Sequence, residues 1–470
     1  MKSLTERQQL LILLLLTVVT RIPFIFDGYG VEEDSWGLVV NAFEMKTFGH
    51  YVASRFPGHP LQEYIYRIIY DQPAPVYNFF SVLASLVAVG FFFKALKKIQ
   101  FKGAFSVALM FCFTPVFYIA GTYTIDYAWT VAFVMASFYY LLDRKFILSG
   151  IMLGMATGCR LTSEMFLLPW LIIVWNTFNW KSSVKDFMTI AIPAVVIGIL
   201  WFIPAYLNYG GSFFDYSDQF PYPPLAKVIY KASIGVFGLT GMIASGVFGI
   251  ISLNAWRKKQ LNPVTLFSAE RLLLVCAVVI GLHIASYLRL PQKSGYMVPA
   301  IPFFIIFLAS GLKEKQLRVA TLLFIIAPFL FSINLTDNLR GAESTPLALT
   351  FKVSGQEIFL DPLSGPILSE RSKRINKMKY CDEVSNSFEN RQTPAIYIIS
   401  GWWYNEIQTS YWQIHGSPNS HFRFYEECDF LDSLKKSNAE IFYLPEQDLY
   451  NDQMFNQFCT DSIAKPFLLK

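Results

Sequence analysis

The chain has 470 residues, of which 54% are hydrophobic and 17% aromatic, while charged residues make up only 16%. That charged share is far below the roughly 25% usual in soluble domains, and the mean hydropathy of +0.39 belongs to a chain whose main solvent is lipid. The net charge of +5 sits in short basic clusters between apolar runs, which excludes a nucleic-acid surface and reads as a set of topology signals.

Residues 1–26 combine a basic start with an apolar centre, but no small-residue cleavage site follows, so they read as a retained first membrane helix and not a signal peptide. Length and hydropathy then predict about eleven spans, near 8–26, 77–93, 103–122, 127–142, 147–159, 162–177, 187–207, 232–253, 271–289, 297–312 and 318–334. The fifth and sixth are short for a bilayer. With the N-terminus inside, eleven spans place every basic cluster on the inner side: Lys94 to Lys102, Arg144 and Lys145, Lys181 and Lys185, Arg257 to Lys259, and Lys313 to Arg318. The first external loop, 27–76, and a Pro-rich aromatic loop, 208–231, then lie outside. So does the tail, 336–470, whose apolar stretches at 395–400 and 440–444 read as strands around a helix at 429–436, a small α/β domain. The expected fold is thus an α-helical polytopic membrane domain over 1–335 with a C-terminal soluble α/β domain.

Six cysteines are present. Cys112, Cys159 and Cys276 lie in apolar runs as small hydrophobes, whereas Cys381, Cys428 and Cys459 lie in the tail with no CxxC spacing. One pair among the last three would form a disulfide in an oxidising compartment. No Rossmann or P-loop signature accompanies them.

The side chains suited to chemistry gather at the external ends of the spans. Val31-Glu32-Glu33-Asp34-Ser35-Trp36 follows the first span. Its three carboxylates repel one another, and they suit a solvated loop, a general base, or a divalent metal ion at the lipid–water boundary. Asp34 precedes an apolar stretch, 36–43, expected to lie along the membrane surface as a helix with Asp34 near its N-cap. Ser54-Arg55-Phe56-Pro57-Gly58-His59-Pro60 is a rigid turn presenting Arg55 and His59, with Glu63 just beyond. Asp126 opens a span, as a helix N-cap or as a second carboxylate facing the first. Arg160 ends a short span, where an unpaired charge is costly. Arg289, Lys293 and Tyr296 occupy a short external turn, and the cations together suit a phosphate.

The order of these motifs resembles the GT-C superfamily of polytopic membrane glycosyltransferases. The acidic motif comes after the first span, an Asp at the third-to-fourth span junction, Gly-x-x-x-Gly-x-x-x-x-Arg-Leu-Thr before Leu-Leu-Pro, and a late Pro-Gln-Lys-Ser-Gly-Tyr-Met-Val-Pro-Ala-Ile-Pro. Protein O-mannosyltransferases and the aminoarabinose transferases of lipid A belong to this superfamily. The resemblance covers about the first 335 residues and implies a polyprenyl-phosphate-linked sugar donor with a catalytic carboxylate in the first external loop, here Asp34 or Glu33, and Asp126 as the second acidic position. The acceptor would be a lipid, glycan or protein hydroxyl, in the inner membrane of a bacterium with the site on its external face. A transporter or lipid flippase would instead place charges at mid-membrane in repeated halves, and no repeat is visible. A non-catalytic scaffold is the third reading, which substitution of the acidic triplet would separate from an enzyme.

Overall fold

The computed structural model describes residues 4–214, 222–334, 345–353, 356–387, 396–399, 404–415, 422–425, 440–443 and 465–466. The stretches expected to cross the membrane are mainly helical, but the last, 318–334, is helical only to Ile326, and its final residues, Ser332–Asn334, leave the helix to form a strand. Five helices are long and apolar enough to do so by themselves: Glu6–Phe24, Ala74–Lys98, Trp180–Ser212, Ile234–Arg257 and Ala269–Arg289. Four shorter apolar helices, Tyr127–Leu142, Phe146–Cys159, Leu161–Val174 and Ser294–Ala309, stand among them. The stretch 103–122 is two helices, Ala104–Cys112 and Pro115–Ala120, because Pro115 has no N–H to continue the ladder.

That break explains a buried charge. Arg21, fully buried in the first helix, donates from Nη2 to the Cys112 carbonyl at 2.7 Å, and its guanidinium lies 4.5 Å from the Tyr118 ring. Among the described residues it has no carboxylate partner. It satisfies a carbonyl left over at a helix C-terminus and lies where the helix dipole favours a cation.

Two close approaches aim the functional segments. Gly150, Gly154 and Gly158 line one face of Phe146–Cys159 at a spacing of four, against the long helix Trp180–Tyr209. A Cβ on Gly150 would meet the Ile190 carbonyl oxygen at 2.2 Å, and one on Gly154 the Ala194 carbonyl oxygen at 2.9 Å. Small residues let the two backbones touch, as in membrane helix pairs, and this seam delivers Arg160 at its end. Likewise a Cβ on Gly295 would stand 2.0 Å from the Tyr127 ring, so only glycine lets the turn carrying Lys293 and Tyr296 close on Tyr127.

Exposed ion pairs mark one end of the bundle: Lys97–Glu6 at 3.7 Å, Lys98–Asp143 at 2.5 Å, Lys145–Asp143 at 2.8 Å and Arg144–Asp186 at 3.8 Å. These residues fall in or beside the basic clusters expected inside. Such pairs contribute little to stability; their use here is to show that the clusters meet at one end. Asp34, Asp126 and Arg160 belong to the other.

The first external loop departs from expectation. Its helix is Glu33–Phe48, and residues 35–43 are all buried, so it does not lie on a membrane surface with one face in lipid. It is packed between the helix Pro60–Ile68 and a helix of the tail, Tyr404–His415. The tail holds a three-stranded antiparallel sheet, Ser332–Asn334 and Leu349–Val353 flanking Gln356–Asp361, in which Ile333 pairs with Leu360 and Phe351 with Ile358. It also holds a four-stranded parallel sheet whose inner strands, Ile396–Ile399 and Glu440–Tyr443, correspond to the two predicted strands. The helix expected at 429–436, with Cys428 and Cys459, lies outside the described residues, while Cys381 is a buried free thiol. A long helix, Pro366–Asn386, connects the two sheets in sequence.

Candidate active site

Three stretches of backbone are bolted together before any charged group is placed. Asn78 donates to the carbonyls of Ile25 at 2.8 Å and Gly28 at 2.9 Å, and accepts from the Thr124 hydroxyl at 2.8 Å. The Thr124 N–H reaches the Tyr29 carbonyl at 3.0 Å, and Gln62 donates to the Ile125 carbonyl at 3.1 Å. Asp126 therefore faces the acidic motif across a fixed gap.

The turn at 54–59, with a cis Phe56–Pro57 bond, is held by Glu63. Its buried carboxylate accepts from the Ser54 N–H at 2.9 Å, the Ser54 hydroxyl at 2.6 Å and the Tyr51 hydroxyl at 2.5 Å. With three partners and no exposure, Glu63 braces the turn and does not face the other charges. His59 has both ring nitrogens engaged: Nδ1 donates to the Cys159 carbonyl at 2.6 Å, and Nε2 accepts from Arg55 Nε at 3.1 Å. That arrangement requires the neutral ring. Burial lowers His59 below the usual histidine range, while Asp126 pulls it the other way.

Between these walls three cations and three carboxylates interleave. Asp34 Oδ2 accepts from both Arg55 and Lys293. Lys293 also lies 3.1 Å from Glu32. Asp126 accepts from Arg160 Nη1 at 2.7 Å and lies 3.7 Å from Arg55 Nη2. Arg160 is sandwiched, its Cζ 4.9 Å from the Tyr127 ring and 4.6 Å from that of Tyr296. Its Nε and Nη2 make no hydrogen bond among the described residues. Against the effect of burial, Arg55 and Lys293 hold Asp34 well below the usual carboxylate range. Against burial too, Asp34 and Glu32 raise Lys293 above the usual lysine value. Asp126 is fully buried, yet the Asp34, Arg55, Arg160 and Lys293 side chains remain partly exposed, 17%, 24%, 14% and 22%. A ligand can therefore reach the group.

Both carboxylates stand at helix starts, as expected, but neither makes a capping hydrogen bond. The N-cap of Glu33–Phe48 is Glu32, Asp34 sits within the first turn, and Asp126 occupies an N-cap position without a capping bond. Both carboxylates are spent on cations instead. The acidic triplet also diverges: Glu32 meets Lys293, Tyr123 at 3.3 Å and Tyr127 at 3.4 Å, whereas Glu33 accepts from Asn405 of the tail at 3.0 Å. Among the described residues no group of three His, Cys, Asp or Glu side chains is placed to hold a metal ion. Arg289 is exposed at the end of Ala269–Arg289 and is not among the ion-pair partners of Asp34 or Asp126.

Sequence reasoning missed the partners of these groups: Glu32 as a ligand of Lys293, Tyr127 as a face for Arg160, and the tail residues Arg374, Lys377 and Asn405. Tyr127 follows Asp126 directly, and aromatic residues beside a lone membrane arginine are a usable signal. The tail residues carry none, since charges at helical spacing usually mark a solvated face.

A first test concerns His59. The unfolded chain takes up a proton on this residue at about pH 6.5, where the folded chain does not. The stability His59 contributes is therefore complete above that pH and is lost as pH falls through its lower folded value. His59→Gln keeps one acceptor and one donor, and should flatten the acid limb of the pH–rate profile below about pH 6.5. His59→Ala should cost about 1–3 kcal/mol, read as a lower Tm. An acid limb that survives in His59→Gln would assign it to another group.

No family model and no curated protein matches the sequence. The structure, by contrast, matches two crystal structures of ArnT from Cupriavidus metallidurans. One, bound to undecaprenyl phosphate, has a TM-score of 0.57 at 11% identity, with 88% of this chain and 85% of that chain covered. The other, in the apo state, has a TM-score of 0.55 at 11% identity and covers 97% and 89%. The match covers most of the chain, which accordingly has the mostly helical, polytopic membrane fold seen in these ArnT structures.

Proposed function

We propose that the protein is a membrane glycosyltransferase that moves a sugar from a polyprenyl-phosphate donor to an acceptor hydroxyl, with Asp34 as the base. The observation that supports this most is the sharing of two cations, Arg55 and Lys293, by one carboxylate at the open end of an ArnT-like bundle. ArnT binds undecaprenyl phosphate, and a phosphate is what such cations suit.

The charges make the step coherent. The donor is a phosphodiester with one negative charge. As the acceptor oxygen attacks the anomeric carbon, its proton passes to the Asp34 carboxylate and the bond from that carbon to the phosphate oxygen breaks. The departing polyprenyl phosphate gains the charge that Asp34 loses, so the site's total does not change. Arg55 and Lys293 are handed from the carboxylate to the phosphate, stabilising charge where it develops. A carboxylate held by two cations is a weak base at rest, and the donor's arrival restores its basicity. Arg160, with two free nitrogens, and Asp126, which anchors it, form the second wall. A single displacement inverts the anomeric centre.

The basic clusters gather at the opposite end of the bundle, so the site faces outward, from the inner membrane of a bacterium. The acceptor is a hydroxyl of an envelope lipid, glycan or protein. In cells lacking the protein, polyprenyl-phosphate-linked sugar should accumulate in lipid extracts while one envelope component loses that sugar. A lipid profile indistinguishable from the parent strain would overturn the reading.

A further inference from the structure

Among the described residues the tail meets the first external loop at Asp27, Val31 and Glu33, before Asp34, and at the Trp36 carbonyl beyond it, with no hydrogen bond or ion pair to Asp34 itself. On the helix Pro366–Asn386, Arg371, Arg374 and Lys377 recur every three residues and so share one face. Arg371 lies 3.3 Å from Asp27. Arg374, fully buried, donates to the Thr122 carbonyl at 3.3 Å and its hydroxyl at 3.1 Å, with its guanidinium 4.7 Å from the Tyr123 ring. Lys377 donates to the Val31 carbonyl at 2.8 Å and pairs with Glu406. From the helix Tyr404–His415, Asn405 donates to Glu33 at 3.0 Å. Tyr123, under Arg374, donates in turn to Glu32, which holds Lys293.

We propose that the C-terminal domain completes the active site, with Lys377 the positioning residue that sets the acidic segment through the Val31 carbonyl. The inference rests on the glycosyl-transfer reading above. Lys377 and Glu406 are 4% and 0% exposed. A buried ion pair is a poor source of stability, because desolving both ions offsets their attraction, and apolar residues of similar volume commonly serve as well or better. What an apolar pair cannot do is bind a backbone carbonyl. The Val31 carbonyl lies immediately before the N-cap of the helix whose first turn carries Asp34, so Lys377 governs how that turn enters. A misplacement of about 1 Å at a reacting group costs roughly 10²-fold in rate, which leaves ample room for an effect without any contact to substrate.

The test pairs two variants with two readouts. Lys377→Met combined with Glu406→Leu removes both charges together and should keep the wild-type Tm. It should lower kcat by about 10-fold or more, with undecaprenyl phosphate binding within about twofold of wild type, because the phosphate-facing cations are untouched. Lys377→Arg, which keeps a charged donor, should recover part of the loss. Asn405→Ala, which leaves no buried charge, should lower kcat several-fold in the same way and decides the matter if the double variant does not fold. Wild-type kcat in a folded double variant, or in Asn405→Ala, would reduce these contacts to packing and overturn the inference. A wild-type protein that binds undecaprenyl phosphate yet transfers no sugar would instead overturn the glycosyl-transfer reading, and this inference with it.

Discussion

Asp34→Asn should cut sugar transfer by roughly 10²-fold or more, the scale of a lost general base, and should at the same time bind undecaprenyl phosphate more tightly than wild type. The two effects have one cause. In the resting protein Arg55 and Lys293 both point at Asp34, so a phosphate must compete with the carboxylate for them. Asparagine has the same shape and no charge, and it leaves the cations to the ligand. A gain of about 10-fold in affinity corresponds to about 1.4 kcal/mol, just under the roughly 1.5–3 kcal/mol of one charged hydrogen bond. Stability should move oppositely. The folded carboxylate is held below its unfolded value of about 3.9, so its contribution is fully present above that pH and is lost as pH falls through the folded value. Asp34→Asn should thus have a lower Tm at pH 7, the gap should narrow below about pH 4, and saturating undecaprenyl phosphate should raise the variant's Tm by mass action. Loss of transfer with unchanged lipid affinity would mean that Arg55 and Lys293 do not hold the phosphate. Retained transfer, with loss in Glu33→Gln, would move the base to Glu33.

Arg160→Lys should lower kcat/KM for the donor by about 10–100-fold, equivalent to about 1.4–2.7 kcal/mol. The positive charge survives, so an argument from charge alone expects little. What is lost is shape. A planar guanidinium lies between Tyr127 and Tyr296, with one nitrogen on Asp126 and two nitrogens free. An ammonium cannot stack on two rings, hold Asp126 and present a second donor at a fixed angle. Because Asp126 keeps a cationic partner, the variant should fold. Unchanged kcat/KM and unchanged affinity for undecaprenyl phosphate would show that Arg160 serves Asp126 alone.

Much of this was legible in the sequence wherever a residue's setting depends on its near neighbours. Apolar runs between basic clusters become helices, and Arg160 and Asp126 stand out because charge beside lipid needs a partner. Their pairing with each other was not legible, since it spans 34 residues and joins two helix ends. The stretch after Asp34 misled for a physical reason: apolar residues at helical spacing fit a membrane surface and a protein-covered groove equally well, and the cover comes from residues beyond 400. Glu63 drew notice as a carboxylate near His59, but three donors from Tyr51 and Ser54 absorb it. Lys377 and Glu406 were invisible, because in a chain with so few charges a lysine in a polar tail is indistinguishable from a solvated one until its fold partner is known.

The contact between Asn405 and Glu33 spans 372 residues, so it can form only late in synthesis. At the usual 5–20 residues per second of synthesis, the acidic segment emerges roughly 20–75 s before the helix that grips it. For most of that interval the nascent chain holds Asp27, Val31 and Glu33 without their tail partners, and a chain halted between Lys293 and Arg371 carries every cation and carboxylate of the central cluster without the tail contacts. If the tail frames the cluster as proposed, such a truncated chain should insert in the membrane and transfer no sugar, so quality control would turn on the last third of the chain, the part least like a membrane protein.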